Sequence, residues 1–112
     1  MPRPAASHAS LVVLVTTPSY SEARKLGRLV VEGKLAACAT IIRNVRSHFR
    51  WEGKVTSAKE SLLILKTTSV RFRGLEKLVR KHHTYEVPEV IGLPIVMGSV
   101  DYLKWIKSET QK

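Results

Sequence analysis

The chain has 112 residues, 44% of them hydrophobic and 25% charged, which are the proportions of one ordinary globular domain. Nineteen Lys and Arg against nine Asp and Glu give a formal net charge of +10, a balance that suits either a solvated basic surface or an acidic partner. No apolar run exceeds five residues, which excludes a membrane-spanning helix and the core of a secretory signal, and the single cysteine, Cys38, excludes an intrachain disulfide and fits a reducing, cytoplasmic setting.

Residues 1–9 open with Met1-Pro2-Arg3-Pro4 and are expected to form a flexible tail, leaving 10–112 as a single domain. Leu11-Val12-Val13-Leu14-Val15 is short, continuous and β-branched, the pattern of a strand buried on both faces. Ser19 stands three residues before Glu22, the capping-box spacing, and Ala23, Leu26 and Val30 then lie on one helical stripe that stops at Gly33. From Leu35 to Trp51 there is no helix punctuation. In the second half of that segment Val45, Ser47, Phe49 and Trp51 alternate with Asn44, Arg46, His48 and Arg50, the period of a strand with one wet face. Glu52-Gly53-Lys54 supplies a turn, and Val55 to Thr68 returns as a second strand with Leu62-Leu63-Ile64-Leu65 at its buried end.

A hairpin this long exceeds the usual strand length, so part of it is expected to leave its own domain and pair with another chain. Ser69 is placed to cap a second helix whose apolar face carries Phe72, Leu75 and Val79 and whose other face is basic, ending near His82 or His83. Val87 precedes a proline and is therefore extended. Val90 to Val96 reads as a final core strand, and a short helix with Tyr102, Leu103, Trp105 and Ile106 follows. The order is β-α-β-β-α-β with an appended C-terminal helix, an α+β, ferredoxin-like pattern that predicts an antiparallel sheet with both main helices on one face.

Several segments carry a family resemblance. They are Leu35-Ala36-Ala37-Cys38, Trp51-Glu52-Gly53-Lys54, Lys66-Thr67, His83-Thr84-Tyr85-Glu86-Val87-Pro88-Glu89 and Tyr102-Leu103-Lys104-Trp105-Ile106. In this order and at these spacings the chain resembles the CutA divalent-cation tolerance proteins from Leu11 to Ile106. The resemblance implies a ferredoxin-like homotrimer whose long hairpins pair between subunits. It also implies a link to copper and other divalent cations, a fold and trimer like those of the PII signal-transduction proteins, and no established catalytic activity. The chain departs from the family at four positions. Thr84 stands where a proline is common, Phe49 where a tyrosine is common, and Ala58 where an acidic residue is usual. Val15 occupies the place of a cysteine that some members are proposed to use, with two adjacent histidines, to bind copper; the histidine pair is present here as His82 and His83.

Two groups of residues follow as candidates. His82, His83 and Cys38, with Glu86 and Glu89 nearby in sequence, supply the nitrogen, sulfur and oxygen donors that copper accepts. Adjacent helical residues point about 100° apart, so the two imidazoles share an ion only where the helix frays. The other reading has one histidine complementing the helix dipole and the other packing beside Tyr85, with Cys38 a small buried hydrophobe. Trp51, Glu60, Tyr85 and Glu86 form the second group, either a small-ligand cleft between subunits or a polar network that fixes trimer geometry.

Gly-rich phosphate loops, CxxC pairs and a GxSxG elbow are missing from the sequence, and its only aspartate is Asp101, so catalysis is not expected. Aromatic residues in the RNP arrangement are missing too, so sequence-specific nucleic-acid binding is not expected. The function expected is that of a homotrimeric, copper-binding protein of metal tolerance. The alternatives are a PII-like regulator binding a small ligand or partner at subunit clefts, and a structural assembly module.

Overall fold

The computed structural model describes residues 9–111, so the expected tail over 1–9 lies, Ala9 excepted, outside the described residues. The elements run β1 (Ser10–Thr17), α1 (Tyr20–Glu32), β2 (Cys38–Trp51), β3 (Lys54–Thr68), α2 (Ser69–His82), β4 (Ile91–Pro94) and α3 (Val100–Glu109). The four strands form one sheet in the order β2-β3-β1-β4 with every neighbouring pair antiparallel, which is the split β-α-β arrangement expected.

Local chemistry sets the helix ends. The Ser19 hydroxyl accepts the Glu22 amide at 3.1 Å and starts α1. At the other end Gly33 is the C-cap, but the left-handed residue is Lys34 (φ 59°). The Lys34 amide donates to the Val31 carbonyl and the Leu35 amide to the Val30 carbonyl, the two bonds of a Schellman motif, and Leu35 packs against the core. α2 begins at Ser69 itself, with Thr68 as its N-cap residue, one position earlier than the sequence suggests.

α1 and α2 lie on one face of the sheet. There Leu26, Val30, Leu75 and Val79 close over Val13, Val15, Leu63 and Leu65, all fully buried. Each contributes about 1.5–3 kcal/mol relative to an exposed side chain. Helix and sheet approach closely at Gly27, where an added Cβ would stand 3.1 Å from that of Ala39.

The opposite face is only partly covered. α3 crosses it at one end, burying Ile106, and the Thr110 carbonyl accepts a hydrogen bond from Arg71 Nε at 2.6 Å. Beyond α3 the sheet shows Ile42, Phe49, Trp51, Ile91 and Leu93 to the outside.

Two expectations about strands need correction. The stretch 90–96 is not a core strand. Only Ile91–Pro94 pairs, along one side of β1, and Ile91 and Leu93 remain 50% and 46% exposed. Gly92 is the residue facing the helices, against Phe72, so the large side chains fall on the uncovered face. The alternation in β2 is also interrupted. A bulge between Ile42 and Val45 places Arg43 and Asn44 opposite Ser61, with Asn44 at φ 59°. It reverses the parity of the strand, so Val45, Ser47, Phe49 and Trp51 continue the face begun by Thr40 and Ile42.

Candidate functional site

His83 sits just past the end of α2, where its backbone has turned extended (ψ 140°) and its amide still donates to the Val79 carbonyl. Its side chain is wholly buried. Nε2 lies 2.8 Å from the Thr16 carbonyl, and the Tyr85 amide reaches Nδ1 at 2.9 Å. A carbonyl only accepts and an amide N–H only donates, so the ring is the neutral tautomer with its proton on Nε2. Glu22 Oε2 stands 3.3 Å from the same Nδ1. The Glu22 carboxylate does not return to the start of its own helix, as a complete capping box requires, but accepts the Thr84 amide at 3.0 Å and the Thr84 hydroxyl. Thr84 stands where the family resemblance implies proline, and a proline there would supply neither donor.

Tyr85 follows, with its ring 4.9 Å from that of His83 and its hydroxyl donating to Glu60 Oε2 at 2.7 Å. Glu60 is on β3 and is 6% exposed. Burial, the hydrogen bond to Glu60 and the negative charges of Glu60 and Glu22 push the Tyr85 phenol up to about 12, so it stays a donor at neutral pH. Burial and the Glu60 charge also raise the Glu89 carboxyl above its ordinary range. The result is a strut running from Thr16 through His83 and Tyr85 to Glu60, with Glu22 and Thr84 closing one side.

The residues proposed as metal ligands do not meet within this chain. Both ring nitrogens of His83 are engaged, Nε2–H by the Thr16 carbonyl and the one lone pair, on Nδ1, by the Tyr85 amide, so none is free for an ion in this arrangement. His82 is exposed on the last turn of α2. Cys38 is at the other end of the sheet, with its sulfur 3.8 Å from Tyr102 Oη and 3.7 Å from Lys66 Nζ, and is half-buried. No group of three or more His, Cys, Asp or Glu side chains positioned to hold a metal occurs among the described residues. The ligand set His82, His83 and Cys38 therefore does not fit an ion inside one subunit.

The second group divides in the same way. Glu60 and Tyr85 are bonded. Trp51 is at the hairpin tip, paired with Lys54 and 53% exposed. Glu86 faces outward into a shallow groove of about 530 Å³ with Arg73, Lys77, Arg80 and Lys81 of α2. Sequence reasoning missed Glu22 and Thr16 as partners of the cluster. Glu22 was visible only as a capping residue, and Thr16 takes part through its backbone, which no side-chain pattern reports.

Residues 11–109 match the family described as CutA1 divalent ion tolerance protein. Among curated relatives, "Protein CutA, chloroplastic" of Arabidopsis thaliana is 46% identical over 91% of this chain and 56% of its own length, so the chain spans little more than half of that plant protein. "Divalent-cation tolerance protein CutA" of Thermus thermophilus is 42% identical over 88% of this chain and 96% of its own. Among solved structures, the divalent cation tolerance protein of Thermus thermophilus superposes with TM-score 0.90 at 41% identity, covering 91% of this chain and 99% of the other. CutA1 from Oryza sativa does so with TM-score 0.90 at 40% identity, covering 95% and 97%.

Proposed function

The chain belongs to the CutA1 divalent ion tolerance family, and on that premise we propose that it acts in divalent-cation tolerance as a non-catalytic homotrimer that binds divalent ions, copper foremost. The observation that carries the assembly is the uncovered apolar sheet face. Phe49 and Trp51 at the end of the hairpin are 41% and 53% exposed, and β2 and β4 both have an outer edge unpaired among the described residues. Edges and apolar faces of this kind are aggregation hazards unless another chain covers them, and copies of the same chain cover them in a closed ring.

Because the described residues of one subunit bring no ligand set together, direct cation contact falls to the exposed His82 together with groups supplied across a subunit boundary. Imidazole nitrogen suits copper(II) among the divalent ions. Cys38, a free thiol, favours a reducing, cytoplasmic compartment. No helix among the described residues is long and apolar enough to cross a membrane.

Sedimentation velocity tests the assembly. A trimeric mass is expected for the wild type and a smaller one for the Phe49→Ser, Trp51→Ser variant. Calorimetric titration of the trimer with copper(II) tests the ligand. Saturable binding that weakens in His82→Ala supports the metal reading, and heat indifferent to that change removes it. A second reading, a PII-like regulator with a small-ligand cleft at the subunit boundary, is favoured by the Tyr85–Glu60 pair with Glu89 beside it, a polar cluster at the margin of the uncovered face. Such a ligand would bind the trimer and not the dissociated variant.

A further inference from the structure

We propose that the helix-side face of the extended β2–β3 hairpin is a docking surface for the phosphate backbone of nucleic acid, engaged without regard to base sequence. Beyond the bulge, Arg46, His48 and Arg50 of β2 share that face with Lys59, Ser57 and Val55 of β3, and all six are exposed in the single subunit. Arg46 pairs directly with Lys59. Like charges directly opposite on one face of a sheet repel, and a bound polyanion turns that repulsion into attraction. The hairpin strands and turn hold two acidic residues, and neither screens the pair: Glu52 is in the turn, and Glu60 is on the other face, bonded to Tyr85. Among the described residues Arg46, Arg50 and Lys59 have no carboxylate within ion-pairing distance.

The geometry suits a linear phosphate chain. Alternate residues of a strand repeat every ~6.8 Å, a spacing comparable to that of successive phosphates along a nucleic-acid strand. The strip continues inward through Arg43, whose guanidinium lies 4.2 Å from the centre of the Tyr20 ring, and reaches Arg24 and Lys25 on α1. The hairpin part of this face offers no Phe, Tyr or Trp ring on which a base could stack, only the imidazole of His48, so the contact is to backbone and carries little sequence information. The basic face of α2 is the weaker candidate, because Glu76 and Glu86 sit among Arg73, Lys77, Arg80 and Lys81.

The test compares two variants of equal charge, Arg46→Gln, Arg50→Gln, Lys59→Gln on the hairpin and Arg73→Gln, Lys77→Gln, Arg80→Gln on α2. Binding of each full-length protein to a fluorescein-labelled DNA duplex of random sequence is followed by anisotropy over a range of salt. Each phosphate contact contributes about 0.9 to the salt slope, so the hairpin variant should lower the slope by about 2–3 and lose roughly tenfold or more in affinity, with the α2 variant near wild type. Equal losses in both variants would reduce the effect to diffuse charge and overturn the proposal, as would no binding by the wild type or tighter binding of heparin at the same face. A measurement on the unaltered protein guards against a variant that assembles wrongly. Acetylation of Lys59 should be suppressed by the duplex while that of Lys77 is not; equal protection, or none, is the contrary result.

Discussion

The imidazole of His83 fixes where α2 hands over to the loop, and Tyr85 fixes where that loop meets the sheet. Removing the Tyr85 hydroxyl leaves the buried Glu60 carboxylate without its hydrogen-bond donor. Tyr85→Phe should therefore lose about 1–3 kcal/mol in urea unfolding at neutral pH. The same group sets an alkaline limit. The phenol is held at about 12 in the fold against an ordinary value of 10.0, so the folded state keeps a proton that the unfolded chain releases. Its contribution is full below the ordinary value and is lost as pH rises toward about 12, and Tyr85→Phe should lack that loss. Glu89 follows the same sign at lower pH. Its carboxyl is raised by burial and by Glu60, so its contribution fades as pH climbs above the ordinary 4.5, and Glu89→Gln should flatten that part of the stability profile. The effect should be small, since Glu89 remains at the surface.

The β2–β3 hairpin turns on two residues, Glu52 (φ 51°) and Gly53 (φ 79°), between the paired Trp51 and Lys54, the twist that suits a right-handed ribbon. Gly53→Ala should cost about 1 kcal/mol through its left-handed backbone, read as a lowered urea midpoint, since no neighbour crowds the site. On the ribbon face, Lys59→Glu replaces a repulsive pair with an attractive one and should gain about 0.2–1 kcal/mol in the same measurement. These elements were legible because their causes are local. Ser19 bonds three residues ahead, and the turn chemistry of Glu52-Gly53 lies between strands that alternate. The bulge at Asn44 was not legible, because a run of alternation reads the same on either side of a parity change. The exposure of β4 was hidden for a different reason. Its apolar sequence suits a core, but its place at the sheet edge is decided by strand order, which no window of residues contains.

For the whole molecule the dominant facts are an unsatisfied apolar face and a large positive charge. In the proposed trimer, assembly of three copies, each of charge +10, would work against mutual repulsion, so association should tighten as salt rises from low ionic strength. Its melting temperature should rise with protein concentration, as mass action requires when folding and association are linked. Differential scanning calorimetry across a dilution series, repeated at low and high salt, checks both. The candidate site was legible as a dense polar run, His83 to Glu89, but its wiring was not. The partners of His83 and Tyr85 are Thr16, Glu22 and Glu60, from elements far apart in sequence, and the adjacency of His82 and His83 says nothing of one facing inward and the other out.

The four-residue strand β4 has a consequence in time rather than in space. Among the described residues it is held to the sheet by one neighbour, β1, while β1 itself is flanked on both sides. The Leu93 amide, which faces β1, should therefore exchange with solvent through small local openings, that of Gly92, which points to the open edge, faster still, and those of Val13 and Val15 only through global unfolding. If another subunit lies along that edge, the two rates converge on association. Deuterium uptake at two glycine and leucine amides then becomes a clock for how long a subunit remains in its ring.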